Sequence, residues 1–220
     1  MIVFDMAGTT VNEDNVVYKT LQKAMYDNGF QFSLDQVLAE GAGKEKLQAI
    51  KSILLLNQIS NDKLSNDIYE HFIILLNEAY QHLDVKPQPH AVELFQILKK
   101  RNIFVILNTG YNTETALSLI EKLGWEKGKD YDGLVTSSDV TNNRPNPDMI
   151  LKAMEIFGIE NPKEVVKVGD STIDINEGQN AGCLLNIGIT TGAHTYGQLQ
   201  SASPDYIIED LLDLIPIIEK

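Results

Sequence analysis

The chain opens with three apolar residues, Ile2-Val3-Phe4, that run straight into Asp5-Met6-Ala7-Gly8-Thr9-Thr10. A short apolar run stopped by Asp and Gly reads as a buried strand entering a loop. The pattern then turns helical. Val16, Val17, Tyr18, Leu21, Ala24 and Met25 recur at helix spacing, and Gly29 closes the segment. Ser33, with Gln36 three residues on and Val37-Leu38 beyond, has the form of a capping box. Gly41-Ala42-Gly43 breaks the pattern, and helices over about 45–53 and 64–80 follow. Nothing from 12 to 85 alternates as a strand does. That stretch predicts a helical insertion, closed by Lys86-Pro87-Gln88-Pro89.

Beyond those prolines, helix and strand alternate. An amphipathic helix over 91–100 precedes an apolar strand over 103–107, which ends at Asn108-Thr109-Gly110. A helix over 113–123 and a short strand over 133–136 come next. A helix over 147–157 follows, with Asn146 as N-cap and Pro147 at the first helical position. Strands over 165–168, 184–189 and 206–208 complete the chain, the first ending at Gly169-Asp170. Continuous apolar strands separated by helices predict an α/β fold, a doubly wound parallel sheet covered on both faces. The expected organisation is an α/β core over 1–11 and 86–220, with a small α-helical cap over 12–85 inserted after the first strand.

Composition narrows the function classes. A length of 220 residues suits one core with a small inserted domain, and 43% hydrophobic with 22% charged residues is ordinary for a soluble globular protein. Net charge is −13, from 31 acids against 18 bases, and no Lys/Arg block offers a phosphate-backbone footprint; a nucleic-acid partner is therefore not expected. The longest apolar runs, such as Ile53-Leu54-Leu55-Leu56, are too short to span a bilayer. No signal peptide precedes the first strand. Cys183 is alone, which leaves no disulfide framework and favours a cytoplasmic setting, with Cys183 itself a small buried hydrophobe.

Candidate chemistry gathers where strands end, the place at which open α/β sheets build their sites. Asp5 can attack phosphorus and carry the phosphoryl group. Thr109 and Gly110 offer a hydroxyl and a backbone N–H to phosphate oxygens. Arg144 is a fixed cation, which Pro145 keeps out of helical geometry. Asp170 and Asp174 follow a core strand. Asp5 with Asp170 makes a hard, oxygen-only site suited to Mg²⁺. The metal and Arg144 would offset repulsion between Asp5 and a phosphate or phosphonate.

These residues resemble the haloacid dehalogenase superfamily, and Asp5-Met6-Ala7-Gly8-Thr9 is similar to its phosphonatase (phosphonoacetaldehyde hydrolase) branch. Most of the superfamily has a second Asp where this chain has Ala7 and a Lys where it has Arg144. The likeness continues through Leu107-Asn108-Thr109-Gly110-Tyr111, Arg144-Pro145-Asn146-Pro147-Asp148, Val168-Gly169-Asp170, Asp174 with Gly178 and Asn180-Ala181-Gly182, and Thr191-Gly192-Ala193-His194. It implies a Rossmann-like haloacid dehalogenase core and a mobile cap. It implies Mg²⁺ held by Asp5, the Ala7 carbonyl and Asp170, with Asp174 close by. It places Ala7, Gly8, Gly110 and Tyr111 at the substrate, and it implies a monomer or a homodimer paired through the cap.

Ala7 cannot protonate a leaving group, and general-acid help is worth roughly 10²–10⁴-fold. A carbon leaving group stabilised as an enamine needs less of it. The phosphonatase pattern supplies a cap lysine that forms a Schiff base with the substrate carbonyl, separated by two residues from a preceding glycine. Here Gly43-Lys44-Glu45-Lys46 puts Lys46 there, in the first turn of a helix, where the dipole and neighbouring Lys44 favour a neutral amine. The chain departs from that pattern at Ala42 (Met), Ala49 (His) and Asn15 (Cys). The reading is an Mg²⁺-dependent hydrolase that cleaves a small phosphonate aldehyde or ketone. One alternative is a phosphomonoester phosphatase acting without the second Asp. Another is a non-catalytic metabolite-binding or phosphoacceptor module. Of the remaining polar residues, Glu13 and Asp14 are expected at a hinge and helix cap and His194 in loop bracing. Trp125 is expected to pack at a helix end.

Overall fold

The computed structural model describes residues 1–219. Among them, strands β1 (Ile2–Asp5), β4 (Val105–Thr109), β5 (Gly133–Thr136), β6 (Val166–Gly169), β7 (Leu185–Ile189) and β8 (Tyr206–Ile208) form a single sheet. Its order is β5-β4-β1-β6-β7-β8, and every pairing is parallel. The chain winds outward from β1 in both directions, so β1 is the switch point, beside which crevices form. All four residues of β1 are buried, as a strand covered on both faces must be. Helices α5 (Ala91–Lys100), α6 (Thr113–Leu123), α7 (Asp148–Phe157) and α8 (Thr172–Ala181) connect the strands and cover the sheet. On one face the Phe4 ring lies 5.5 Å from Phe95, which meets Trp125 edge-on at 5.4 Å. Trp125 thus packs just past the end of α6, as the sequence predicts.

Two elements are displaced from their expected bounds, each for a local reason. The Ile103 amide closes the end of α5 on the Leu98 carbonyl (3.0 Å), so β4 begins at Val105. The strand then continues through Asn108 and Thr109, which pair with Val135 and Thr136. Asn146 does not cap α7. Its amide donates back to the Asn143 carbonyl (2.9 Å), and Pro147 is the capping residue.

Helices α1 (Val16–Asp27), α2 (Leu34–Gly41), α3 (Lys46–Leu55) and α4 (Asp62–His82) pack on one another between β1 and α5. The Ser33/Gln36 capping box forms as read. A ribbon absent from the sequence reading joins this helical unit to the sheet. Strand β2 (Val11–Asn12) pairs antiparallel with β3 (Lys86–Pro87), so Asn12 and Lys86, expected on opposite sides of a boundary, are partners. Two residues a side make a short hinge.

Phe95→Ala empties a site bounded by two other aromatic rings. It is expected to cost about 3–5 kcal/mol, read from urea unfolding with an unchanged dependence on denaturant; a cost below about 1 kcal/mol would show that the core collapses into the gap.

Candidate active site

The carboxyl ends of β1, β4 and β6 lie side by side, so their terminal residues converge. Asp5 stands opposite Asn108 in register, Thr109 closes β4, and Asp170 follows Gly169. Arg144, 1% exposed, enters from the loop before α7, after which comes a cis Arg144–Pro145 bond. Its Nη1 donates to Asp5 Oδ1 (2.7 Å) and reaches Asp174 Oδ1 (2.9 Å). Its Nε donates to Glu177 Oε2 (2.9 Å), and its Nη2 to the Asn108 carbonyl (2.8 Å) and side-chain oxygen. A second buried cation, Lys167 in the middle of β6, lies 3.0 Å from Asp174 Oδ1 and 3.2 Å from Glu177 Oε2, and donates to Asn108 Oδ1 at 3.1 Å. Asp174 and Glu177 sit three apart on α8 and so share a face.

Among the described residues, four carboxylates here (Asp5, Asp170, Asp174 and Glu177) face two cations. The imbalance is felt unevenly. Burial would raise Asp174, but Arg144 and Lys167 together hold it below the usual carboxylate range. Burial, then the charge of Asp174, pushes Asp5 up to about 6 in spite of Arg144. Burial and the charges of Asp5 and Asp174 push Asp170 well above its ordinary value. Carboxylate oxygens of Asp5, Asp170 and Asp174 lie within 4.8 Å of one another. Oxygen donors crowded this closely and short of positive charge fit a hard divalent cation. Asp174 is the least available of the three, because Arg144, Lys167 and the Ser171 hydroxyl (2.5 Å) already occupy it.

Asp170 is fixed from the other side. The Ala193 amide donates to Oδ2 (2.6 Å), and the Thr9 hydroxyl reaches Oδ1 at 3.5 Å. Gly8 runs directly beneath it at φ +84°, where a Cβ would collide with Asp170 Oδ2. Only glycine allows that approach and that backbone conformation.

The helical unit closes the top. Its Gly43 and Lys44 carbonyls lie 3.1 and 3.0 Å from the position a Cβ on Gly110 would take, so a side chain there would press on the cap loop. Lys46 is the first residue of α3 and is 6% exposed. Its Nζ donates to the Lys44 carbonyl (2.9 Å) and lies 5.1 and 5.2 Å from the ring centres of Tyr18 and Tyr111. Burial lowers the amine to about 8, against the opposing charges of Asp5, Glu45 and Glu13. The cause differs from the expected one. The Lys44 ammonium turns away to Ser52 Oγ (3.0 Å), and the Glu45 carboxylate caps the helix N-terminus at the Leu47 and Gln48 amides. Desolvation, not the dipole or Lys44, sets the amine.

Asp5, Ala7, Lys46, Thr109, Gly110, Tyr111, Arg144 and Asp170, all singled out from the sequence, line one cavity with Tyr18 and Gly43. Its volume is ≈ 10 Å³, about the room for a single water. Gly8 and Asp174 lie off its wall. The Gly8 amide donates to the Val11 carbonyl (2.9 Å), and its own carbonyl accepts from Thr191 Oγ1 (2.7 Å). The Thr109 hydroxyl accepts from the Tyr111 amide (3.2 Å). His194 braces its loop, its Nδ1 accepting from the Thr172 amide (3.0 Å). Neither Glu13 nor Asp14 caps a helix. Asn15 stands at the start of α1, Asp14 pairs with Lys19 (2.7 Å), and Glu13 turns inward to two tyrosines. Sequence reasoning missed Lys167, Glu177, Tyr18 and the inward turn of Glu13. A lysine interrupting an otherwise apolar central strand was the available signal for Lys167.

A parallel α/β sheet with convergent carboxylates at its switch point and a buried arginine, covered there by a helical unit, points to a class of hydrolase. The chain belongs to the haloacid dehalogenase-like hydrolase family, whose pattern it matches over residues 2–186. Over its whole length it is 27% identical to a phosphonoacetaldehyde hydrolase of Latilactobacillus sakei subsp. sakei, 94% of which it covers. It is 29% identical to a bifunctional phosphonoacetaldehyde hydrolase/aminoethylphosphonate transaminase of Clostridioides difficile, and spans 36% of that longer protein. The fold matches that of a hydrolase from Pseudomonas syringae with a TM-score of 0.86 at 21% identity, covering 99% of this chain and 97% of that one. Among the described residues no helix is long and apolar enough to cross a membrane.

Two outcomes follow from the buried charges. Lys167→Met strips Asp174 and Glu177 of a cation and is expected to destabilise the fold by about 3–5 kcal/mol, read from urea unfolding; a neutral substitution would show that Arg144 suffices. Burial also raises Glu13 to about 7 from 4.5, so the folded chain holds that proton more tightly than the unfolded chain. Its contribution to stability is complete below pH 4.5 and is lost as pH rises through about 7. Wild type should therefore lose stability relative to Glu13→Gln across that window, and a constant difference would refute the assignment.

Proposed function

We propose that the chain is an Mg²⁺-dependent phosphonatase-type hydrolase that cleaves the C–P bond of a small phosphonate bearing an aldehyde or ketone. The observation that carries this reading is the Lys46 amine. It is buried, lowered to about 8 and walled by two aromatic rings, in the same cavity as Asp5, and Ala7 stands where a second acid would serve an ester. Residues 12–85 are taken as the cap and the rest as the core.

Asp5, Asp170 and the Ala7 carbonyl would hold the metal, with Asp174 behind them. A bound Mg²⁺ supplies charge neutralisation between the nucleophile and the phosphonate oxygens. The chain's own residues do the rest. Neutral Lys46 adds to the carbonyl, and the adduct takes up one proton from solvent and expels water, leaving an iminium; that proton returns to solvent when the iminium is hydrolysed at the end. Arg144 holds Asp5 through Oδ1 and keeps it ionised. Asp5 attacks phosphorus, and the C–P electron pair moves onto carbon to give a neutral enamine. Water then cleaves the aspartyl phosphate to release phosphate. Protonation of the enamine and hydrolysis of the resulting iminium free the aldehyde or ketone and Lys46. The sum is one water consumed per bond cleaved. Thr109, Gly110 and Tyr111 line the space around the transferred group. A cavity of ≈ 10 Å³ is too small for that substrate, so the cap must lift to admit it.

Borohydride added during turnover of phosphonoacetaldehyde should leave a reduced adduct on Lys46, read by peptide mass spectrometry, and Lys46→Ala should lower that turnover by at least about 10²-fold, the low end of a lost acid–base function. No adduct, with faster hydrolysis of a phosphate ester than of the phosphonoaldehyde, would replace this reading with a phosphomonoester phosphatase.

A further inference from the structure

Glu13 takes no part in the chemistry just described, yet it is 3% exposed and sits immediately after the hinge strand β2. Each of its oxygens has a phenol donor. The Tyr111 hydroxyl donates to Oε1 at 3.0 Å, and the Tyr80 hydroxyl to Oε2 at 2.8 Å. Tyr80 belongs to α4 of the cap. Tyr111 belongs to the core, where its carbonyl is pinned by the Ser137 amide (3.0 Å) and hydroxyl (2.9 Å). The carboxylate therefore bridges the joint between the two units.

What lies on the other side of the Tyr111 ring gives the bridge its meaning. Lys46 Nζ is 5.2 Å from the ring centre, and Tyr18 supplies a second wall at 5.1 Å. Tyr18 travels with the cap on α1, its hydroxyl accepting from the Gly43 amide (3.2 Å). One wall of the slot is thus built into the cap beside the amine. The other is brought by the core and held by Glu13. An amine loses its water only between both walls.

We propose that Glu13 is a positioning residue for the Lys46 amine: its carboxylate docks the Tyr111 ring of the core against the lysine carried by the cap, so that the desolvated slot is assembled only where the two units meet. The inference rests on the reading of Lys46 as the carbonyl-reactive amine and deepens it, because it makes cap closure the step that prepares the nucleophile. The charges of Asp5, Glu45 and Glu13 raise the amine and that of Arg144 lowers it, while Tyr80, Tyr111 and Lys46 act on Glu13; losing the charge of Glu13 alone would lower the amine, so a rise on its removal reports the lost aromatic wall. Loss of the slot returns the amine to water and moves it toward the ordinary lysine range of about 10.4.

The test needs no substrate. The intact chain is labelled with acetic anhydride from pH 6 to pH 11, and acetylation of Lys46 is followed by peptide mass spectrometry. For Glu13→Ala, labelling at pH 8 relative to the high-pH plateau should fall about fivefold, the effect of a one-unit rise in a midpoint that starts near that pH. Glu13→Gln keeps an oxygen acceptor and should stay within about threefold of wild type. A folded Glu13→Ala protein with the wild-type ratio overturns the proposal, since a purely structural residue would cost stability and leave the amine alone. If that variant does not fold, Tyr111→Phe, which keeps the ring and removes its tether, decides. A fall of about threefold or more supports the proposal, and an unchanged ratio overturns it. Failure of the Schiff-base reading appears separately, as wild-type protein that forms no borohydride adduct.

Discussion

The site is organised around one buried guanidinium. Arg144 binds the end of β1 through Asp5, the end of β4 through Asn108, and the first turns of α8 through Asp174 and Glu177. Removing so many charges from water costs several kcal/mol per ion, and only complete pairing offsets it. That requirement explains the strictness of the surroundings. Lys167 must interrupt an apolar strand to reach the two acids on α8. Gly8 must leave room for Asp170, and Gly169 for Asp174, where any Cβ would collide. Its three acids, Asp174, Glu177 and Asp5, keep Arg144 charged against the desolvation that burial imposes. The same arrangement leaves Asp5 and Asp170 short of positive charge, which makes one coordinate set serve both a structural ion network and a cation-seeking edge.

Much of this was legible in the sequence because it follows from local pattern. Apolar runs ending in Asp, Asn-Thr-Gly and Gly-Asp located β1, β4 and β6 and put their polar ends in one place, and the prolines at 87 and 89 marked the change from consecutive helices to alternating helix and strand. Helix α6 and strand β5 fall where the spacing predicts them. What escaped notice depends on long-range partners. Asn108 looked like the end of a strand because it is polar, yet it is fully buried with Arg144 and Lys167 on its side-chain oxygen. Glu177 was not singled out, because an acid in a helix carries no local sign that its partners are Arg144 and Lys167. Glu13 looked like a hinge cap, since nothing in its neighbourhood announces Tyr80 and Tyr111, 67 and 98 residues away. The β2–β3 ribbon was invisible because two residues per strand carry no periodicity.

On the proposed reading, the helical unit adds what the sheet lacks. The sheet's edge would supply a nucleophile, a cation, a phosphate-binding loop and a place for a metal, the parts of an aspartate-based phosphoryl transfer. The cap adds an amine and an aromatic wall, and its Gly43–Lys44 loop rests on Gly110 closely enough to exclude all but about one water. Exclusion of water strengthens every electrostatic term inside. It also lowers the amine, because an ammonium is penalised by the same burial that sharpens Arg144 for Asp5.

Ala7 and Lys46 belong to one electrostatic solution. Both line a cavity of ≈ 10 Å³, already held against Asp5 and Asp170. Lys46 keeps a low proton affinity only because desolvation outweighs the attraction of nearby carboxylates. An aspartate at position 7 would place a third acid on that small wall. Its charge would favour the ammonium, and the ammonium would in turn favour the carboxylate, giving an inert ion pair where one chemistry needs a neutral amine and the other a protonated acid. A site of this size has room for an acid or for a neutral amine but not both, and under the proposed mechanism the small apolar residue at position 7 would leave the amine free to act.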